Sequence, residues 1–219
     1  NTDQTLIEHW NGTSWSVVAS PNVGSSSNDL TSVARVPGST AVWAVGYSQN
    51  TTNSPVQTLI EQWNGTSWSV VPSPNVGTNY NKLYGVAPIS ASNVWAVGNI
   101  FTSSNINQTL IEQWNGTSWS IVPSPNVGSS YNFLDGVAAV SASNVWSVGA
   151  YFNTSSNAFQ TLIEQWNGTS WSVVASPNVG SAGNFLNGVA RVGASSKVWS
   201  VGIYHTSSNI DQTLTEFYC

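Results

Sequence analysis

The chain has 219 residues, twelve of them tryptophan, with four Lys and Arg against nine Asp and Glu for a net charge of −5. Its only cations are Arg35, Lys82, Arg191 and Lys197, too few to neutralise a phosphate backbone, which excludes a nucleic-acid partner. No apolar run nears the roughly 18 residues of a membrane span, which argues against membrane insertion, and a chain rich in large rings and poor in charge is the reverse of a disordered one.

In chain order the first element is QTLIE at Gln4, followed by WNGTSWS at Trp10, SPNVG at Ser20 and VWAVG around Trp43. All four motifs then recur. WNGTSWS begins again at Trp63, Trp114 and Trp166, and the tryptophan of VW(A/S)VG returns at Trp95, Trp146 and Trp199, so two independent landmarks share a period of 51 to 53 residues. QTLIE recurs at Gln57, Gln108 and Gln160, with a fifth copy, QTLTE, at Gln212, and SPNVG recurs at Ser73, Ser124 and Ser176. Tandem similarity at this period is the signature of a repeat architecture.

Within one period, four short runs rich in Val, Ile and Trp are bounded by turn residues, the pattern of β-strands. In the second full unit they are 83–89, 94–100, 108–114 and 118–122, here positions A, B, C and D. Asn115-Gly116 between C and D favours a type I′ hairpin. Pro123 and Pro125 end position D, because a residue without an amide hydrogen cannot continue a central ladder. No segment has sustained helical periodicity. The expected fold is all-β: a propeller of four-stranded antiparallel blades, with four repeats of about 52 residues forming a single domain over 1–219. Three tryptophans per blade then fill the space between neighbouring sheets.

The units QTLIEQWNGTSWSVVPSPNVG and LYGVAPISASNVWAVG resemble bacterial multi-blade propeller repeats along essentially the whole chain. The VWAVG strand is similar to tectonin and tachylectin-type lectin repeats. That second resemblance implies sugar binding and assigns no binding residue.

The chain holds four copies each of A, B and D and five of C. In a closed four-blade ring the first C–D hairpin would complete the last A–B hairpin, so that strands from both termini build one blade. The surplus copy, 212–218, would compete with residues 4–10 for that place. The alternative is an eight-blade ring shared by two chains, a homo-oligomer held by 212–218 or by Cys219. Cys219 is the sole cysteine, so no intrachain disulfide or cysteine metal site is available. A start at Asn1 and the absence of methionine fit a mature secreted protein whose leader has been removed, or an excerpt from a longer one.

Propeller topology places the A–B and C–D hairpins on one face and the B–C and D–A connections on the other. The latter, 47–56, 99–107, 150–159 and 203–211 together with 25–29, 78–82, 129–133 and 181–185, are long and differ between repeats, and variable loops on a rigid scaffold are where function concentrates. They combine Asn, Ser and Thr with single aromatics. Amides and hydroxyls suit sugar hydroxyls, and a ring covers the apolar face of a pyranose. The candidate ligand-binding residues are Asn28, Tyr80, Asn81, Tyr131, Asn132, Phe133, Tyr151, Asn184, Phe185 and Tyr204; the competing reading is that they are turn formers with an aromatic tucked beneath.

Enzymatic chemistry finds little support. Glu8, Glu61, Glu112, Glu164 and Glu216 recur once per unit on position C, so symmetry keeps them apart, whereas glycoside hydrolysis needs two carboxyls roughly 5 to 10 Å apart. A structural, hydrogen-bonded role is expected of them. Asp29 and Asp135, near the start of position A, are better placed, but other units do not repeat them. His9 and His205 lack zinc-ligand or triad company, and both read as incidental surface substitutions. No cofactor or metal is expected. Two functions therefore stand: a secreted, non-enzymatic, lectin-like propeller with several shallow sites for glycans or cell-surface polysaccharide, or a structural module acting as a rigid scaffold or self-assembling unit.

Overall fold

The computed structural model describes residues 2–77, 79–102, 106–208 and 210–219. The 78–82, 99–107 and 203–211 loops each contain positions outside that set, namely Thr78, Ser103, Ser104, Asn105 and Asn209. Among the described residues there is no helix, and seventeen strands follow one another in antiparallel meanders. A two-stranded hairpin comes first, β1 (Ile7–Trp10) with β2 (Trp15–Val18). Next come the four-stranded sheets β3 (Ser27–Arg35), β4 (Val42–Gln49), β5 (Gln57–Trp63), β6 (Trp68–Val70) and β7 (Tyr80–Ser90), β8 (Asn93–Phe101), β9 (Asn107–Trp114), β10 (Trp119–Ile121). The final sheet has seven strands: β11 (Asn132–Ser141), β12 (Ala150's strand, Asn144–Asn153), β13 (Ala158–Trp166), β14 (Trp171–Val173), then β15 (Gly183–Arg191), β16 (Val198–His205) and β17 (Asp211–Tyr218).

The seven strands are two blades joined by one parallel residue pair, Phe159 with Gly183. The equivalent bridge between Val56 and Tyr80 joins the two preceding sheets without merging them. All-β, repeat-based propeller architecture thus matches the sequence reading. Inner strands β3, β7, β11 and β15 stand side by side, each packed on the next.

Indole rings form the core between blades. Trp43 on β4 is fully buried, with its ring 5.2 Å from both Trp114 and Trp119 of the next blade. Trp95 repeats the arrangement against Trp166 at 4.9 Å and Trp171 at 5.3 Å. In each case the position-B tryptophan inserts between the two tryptophans of WNGTSWS, which themselves lie 6.0 Å apart. Such tilted ring pairs add to the area they bury.

The short motifs are explained by backbone contacts. Thr58 of QTL donates its amide to Asn75 of SPN at 2.9 Å and shares a hydroxyl hydrogen bond with Ser73 at 2.6 Å, and Thr109 repeats the pair with Asn126 and Ser124. The WNGTSWS turn differs from the type I′ expectation. Trp10 pairs with Trp15, so four residues form the loop, and only the glycine has a positive φ, +101° at Gly12. Asn11 instead accepts from the amides of Thr13 and Ser14 at 2.8 and 2.9 Å, an Asx cap that holds the turn without left-handed asparagine.

Strand pairing at the two ends also differs from the closed-ring expectation. β1 and β2 pair only with each other, and the edge of β16 is taken by β17 along eight residue pairs from Val198–Tyr218 to His205–Asp211. A strand separated from its partner by only the five residues 206–210 reaches that edge at far lower loop-closure cost than one from the other terminus.

Candidate functional site

The four asparagines proposed as ligand contacts, Asn28, Asn81, Asn132 and Asn184, are buried and turned inward. Asn132 Oδ1 accepts from the Gly128 amide at 2.7 Å, while its Nδ2 donates to the carbonyls of Gly128 at 2.7 Å and Asn107 at 3.3 Å. The other three make the same clamp with Gly24, Gly77 and Gly180, and with the carbonyls of Asp3, Val56 and Phe159 in the preceding blade. Both Nδ2 hydrogens and the Oδ1 of each are engaged within the fold. They pin the SPNVG loop and stitch adjacent blades, and so are removed from the ligand-binding set. The glycine of SPNVG is required by the close packing here: a Cβ on Gly24 would sit 2.4 Å from the Ser27 carbonyl oxygen.

An Asn132→Ala substitution would leave the half-buried Gly128 amide without its Oδ1 acceptor and the Gly128 carbonyl without its Nδ2 donor. We expect a loss of about 2–4 kcal/mol, read as a lowered urea midpoint with an unchanged slope.

Because strand neighbours alternate between faces, the residue after each clamp points the other way. These are Asp29, Lys82, Phe133 and Phe185, all half-buried. With the B–C corners they line the face that bears the long loops, where Lys82 feels the charge of Asp29 and the rings of Phe133 and Phe185 lie 6.5 Å apart.

On its polar side, the Lys82 ammonium lies 4.0 Å from the Tyr47 ring centre and 5.6 Å from that of Tyr80. Burial lowers the Lys82 pKa, opposed by the charge of Asp29. Tyr80 stacks on Phe101, with centres 5.0 Å apart and planes at 4°, and its hydroxyl donates to Asn107 at 3.2 Å. Further along the inner strands, burial pushes Tyr84 up to about 12, helped by Asp135, and pushes Asp135 up to about 6.

On its apolar side, Phe159 is the hub. Its ring lies 5.0 Å from Phe185, 5.2 Å from Phe152, 5.9 Å from Phe133 and 6.1 Å from Tyr131. His205 meets the Phe185 ring edge-on at 5.4 Å and pairs with Asp211 at 2.7 Å, so it belongs to the cluster and is not an incidental surface residue. Tyr131 is 41% exposed and forms the open end. Beside it, the Tyr151 hydroxyl and Asn153 Nδ2 both donate to Gln160 Oε1, the latter at 2.9 Å.

Of the residues named from sequence, Tyr131, Phe133 and Phe185 come together here, with Tyr151 at the border. Tyr80 lies in the polar part. Tyr204 packs against Val148, Leu186 and Leu214 in the core beneath. Phe152, Phe159, Tyr47, Phe101 and Lys82 were missing from the set. The available signal was departure from the repeat: the residue just before QTLIE is Phe159 in this unit but Val56 and Asn107 in the two preceding ones.

The repeated glutamates do not have the hydrogen-bonded role expected of them. Glu61, Glu112 and Glu164 are fully buried, and neither carboxylate oxygen of any of them meets a partner. Burial therefore favours the neutral acid, to about 7 for Glu61 and about 8 for Glu112 and Glu164. Among the described residues no three His, Cys, Asp or Glu are gathered as metal ligands would be.

No family model and no curated protein matches the chain. Solved structures to which it is similar include YCF48 bound to a D1 peptide, with a TM-score of 0.47, 13% identity and coverage of 78% of this chain and 47% of that one. Another is a fucose lectin from Kordia zhangzhouensis in complex with methyl-fucoside, at a TM-score of 0.44 and 15% identity over 67% of this chain and 99% of the lectin. A glycoside hydrolase is similar at a TM-score of 0.40 and 7% identity, over 81% of this chain and 62% of that one. The chain spans about half the length of the YCF48 structure.

Proposed function

We propose that the chain is a non-enzymatic, lectin-like propeller that acts outside the cell and binds neutral glycans on its long-loop face. The observation that carries this reading is the aromatic shelf of Tyr131, Phe133, Phe152, Phe159 and Phe185, contiguous across two blades and bordered at its Tyr131 end by uncharged amides and a hydroxyl and at its Phe185 end by the His205–Asp211 pair. Rings of this kind cover the apolar face of a pyranose, and the adjoining Tyr151, Asn153 and Gln160 offer donors and acceptors for its hydroxyls. The polar strip around Lys82, Tyr47 and Tyr80 is a second, smaller contact area, and weak sites on one scaffold combine into avidity. The buried glutamates recur once per blade, each on its own position-C strand, so repeat symmetry sets them apart rather than as the facing pair that hydrolysis uses.

A glycan array followed by calorimetry tests the proposal. A neutral saccharide should bind with millimolar or better affinity, and Tyr131→Ala should weaken it roughly tenfold or more with no change in melting temperature. Absence of any hit at millimolar saccharide, or a hit indifferent to Tyr131→Ala, overturns it; turnover of a chromogenic glycoside overturns the non-enzymatic part.

A further inference from the structure

The interfaces inside the chain define what each blade face receives, and the two outermost faces carry the halves of one more such interface. On the first side, Trp63 and Trp68 form the same pair as Trp114 with Trp119, at 5.8 Å, but no position-B tryptophan inserts between them. They line a cavity of about 820 Å³ together with Leu6, Leu30, Val42 and Ala44. On the last side, Trp199 is a position-B tryptophan with no receiving pair. It is 47% exposed, whereas Trp43, Trp95 and Trp146 are at most 1% exposed.

A second set of halves lies at the same two ends. Trp146 meets Tyr218, and beside them is a cavity of about 290 Å³ lined by Pro177, Val198 and Phe217, where the equivalent blades seat Trp119 and Trp171. The hairpin β1–β2 carries the unmatched counterpart. Trp15 is 64% and Leu6 68% exposed, although their equivalents Trp119, Trp171, Leu59, Leu110 and Leu162 are buried. β15–β16 thus lacks a proper outer hairpin, and β1–β2 lacks an inner one.

We propose that the two halves unite between two copies of the chain, β15–β16 of one and β1–β2 of the next forming a composite blade. The register of β4 on β5 carries over directly: Val198 falls opposite Trp10, Trp199 opposite His9, Val201 opposite Ile7 and Gly202 opposite Leu6. Trp199 then fills the Trp63–Trp68 cavity, and Trp15 fills the cavity beside Trp146. β17 now holds the β16 edge with one buried residue, Leu214, and Thr215 stands where the internal blades have isoleucine. The exchange replaces it with a strand bearing Leu6, Ile7 and Trp10, and closes sheet edges that would otherwise be open to pairing. The contact is head to tail, since the surfaces of the two copies differ, so it builds rings or open chains rather than an isologous dimer. It stands independently of glycan binding.

Sedimentation velocity on the 219-residue chain, from micromolar to millimolar concentration, tests the inference, with circular dichroism and melting curves showing that each variant stays folded. The wild type should associate with rising concentration. Trp199→Ser and Trp15→Ser, both at exposed positions, should each weaken association roughly tenfold or more. A mixture of the two variants should recover wild-type affinity but stop at one junction, because only the intact tail of one meets the intact head of the other. A wild type that is monomeric throughout, as closure within one chain would make it, overturns the proposal. So do variants that associate as the wild type does, or a mixture that recovers nothing.

Discussion

Gly149→Ala should destabilise the protein by at least about 4 kcal/mol, the range reached by severe overpacking against rigid backbone. Gly149 pairs with Leu134 at the bulge where β11 shifts register, and a Cβ built there would lie 2.0 Å from the Phe133 carbonyl oxygen and 2.8 Å from the Leu134 Cα. Neither neighbour is the tip of a flexible side chain, so the two strands would have to separate. Gly46, Gly98 and Gly202 close the same motif with contacts of 1.9 Å, which is why VW(A/S)V is followed by glycine in every unit. The control is Gly188→Ala, whose Cβ would meet only the Val201 side chain at 3.7 Å. Thermal melting should show a fall on the order of 10 °C or more for the first and little change for the second. Equal melting temperatures would rule out the close strand approach.

Stability should also fall as pH rises from about 4.5 to about 8, opposite to a protein held by carboxylate salt bridges. Glu112 and Glu164 titrate at about 8 in the folded chain, against an ordinary value of 4.5. Below 4.5 each is protonated whether the chain is folded or not, so nothing is lost. Between the two values only the unfolded chain releases the proton, and each pH unit removes on the order of 1 kcal/mol per group. Above about 8 both states are ionised and the loss levels off. Glu112→Gln keeps the shape and removes the titration. Its melting temperature should therefore fall less steeply across this window than that of the wild type and exceed it at the alkaline end. Parallel curves for the two proteins would mean that the carboxyl is solvated or charged when folded.

The repeat made most of this architecture legible. Two motifs with one period, alternating apolar residues and turn dipeptides specify strand, hairpin and blade locally, because each depends on neighbours within about 50 residues. The same regularity misled at the asparagines. Asn132 and Tyr131 are adjacent, polar and in a variable loop, yet one is sealed under the Gly128 loop and the other lies open. Strand parity decides between them, and the exact strand start is what a loop sequence leaves undetermined. Glu112 likewise looks like any strand-borne acid until the next sheet covers it.

Composition, period and strand order were determined by the sequence alone, since they follow from local pattern: an all-β chain of blades with tryptophan between them and little charge anywhere. Only the tertiary structure decided which amides are spent inside the fold, which rings from separate blades converge on Phe159, and which strand takes the edge of β16. Those outcomes depend on contacts between residues distant in sequence, where identical motifs meet different neighbours. Trp199 and Trp146 share one motif, and a covering blade alone makes one of them core and the other surface.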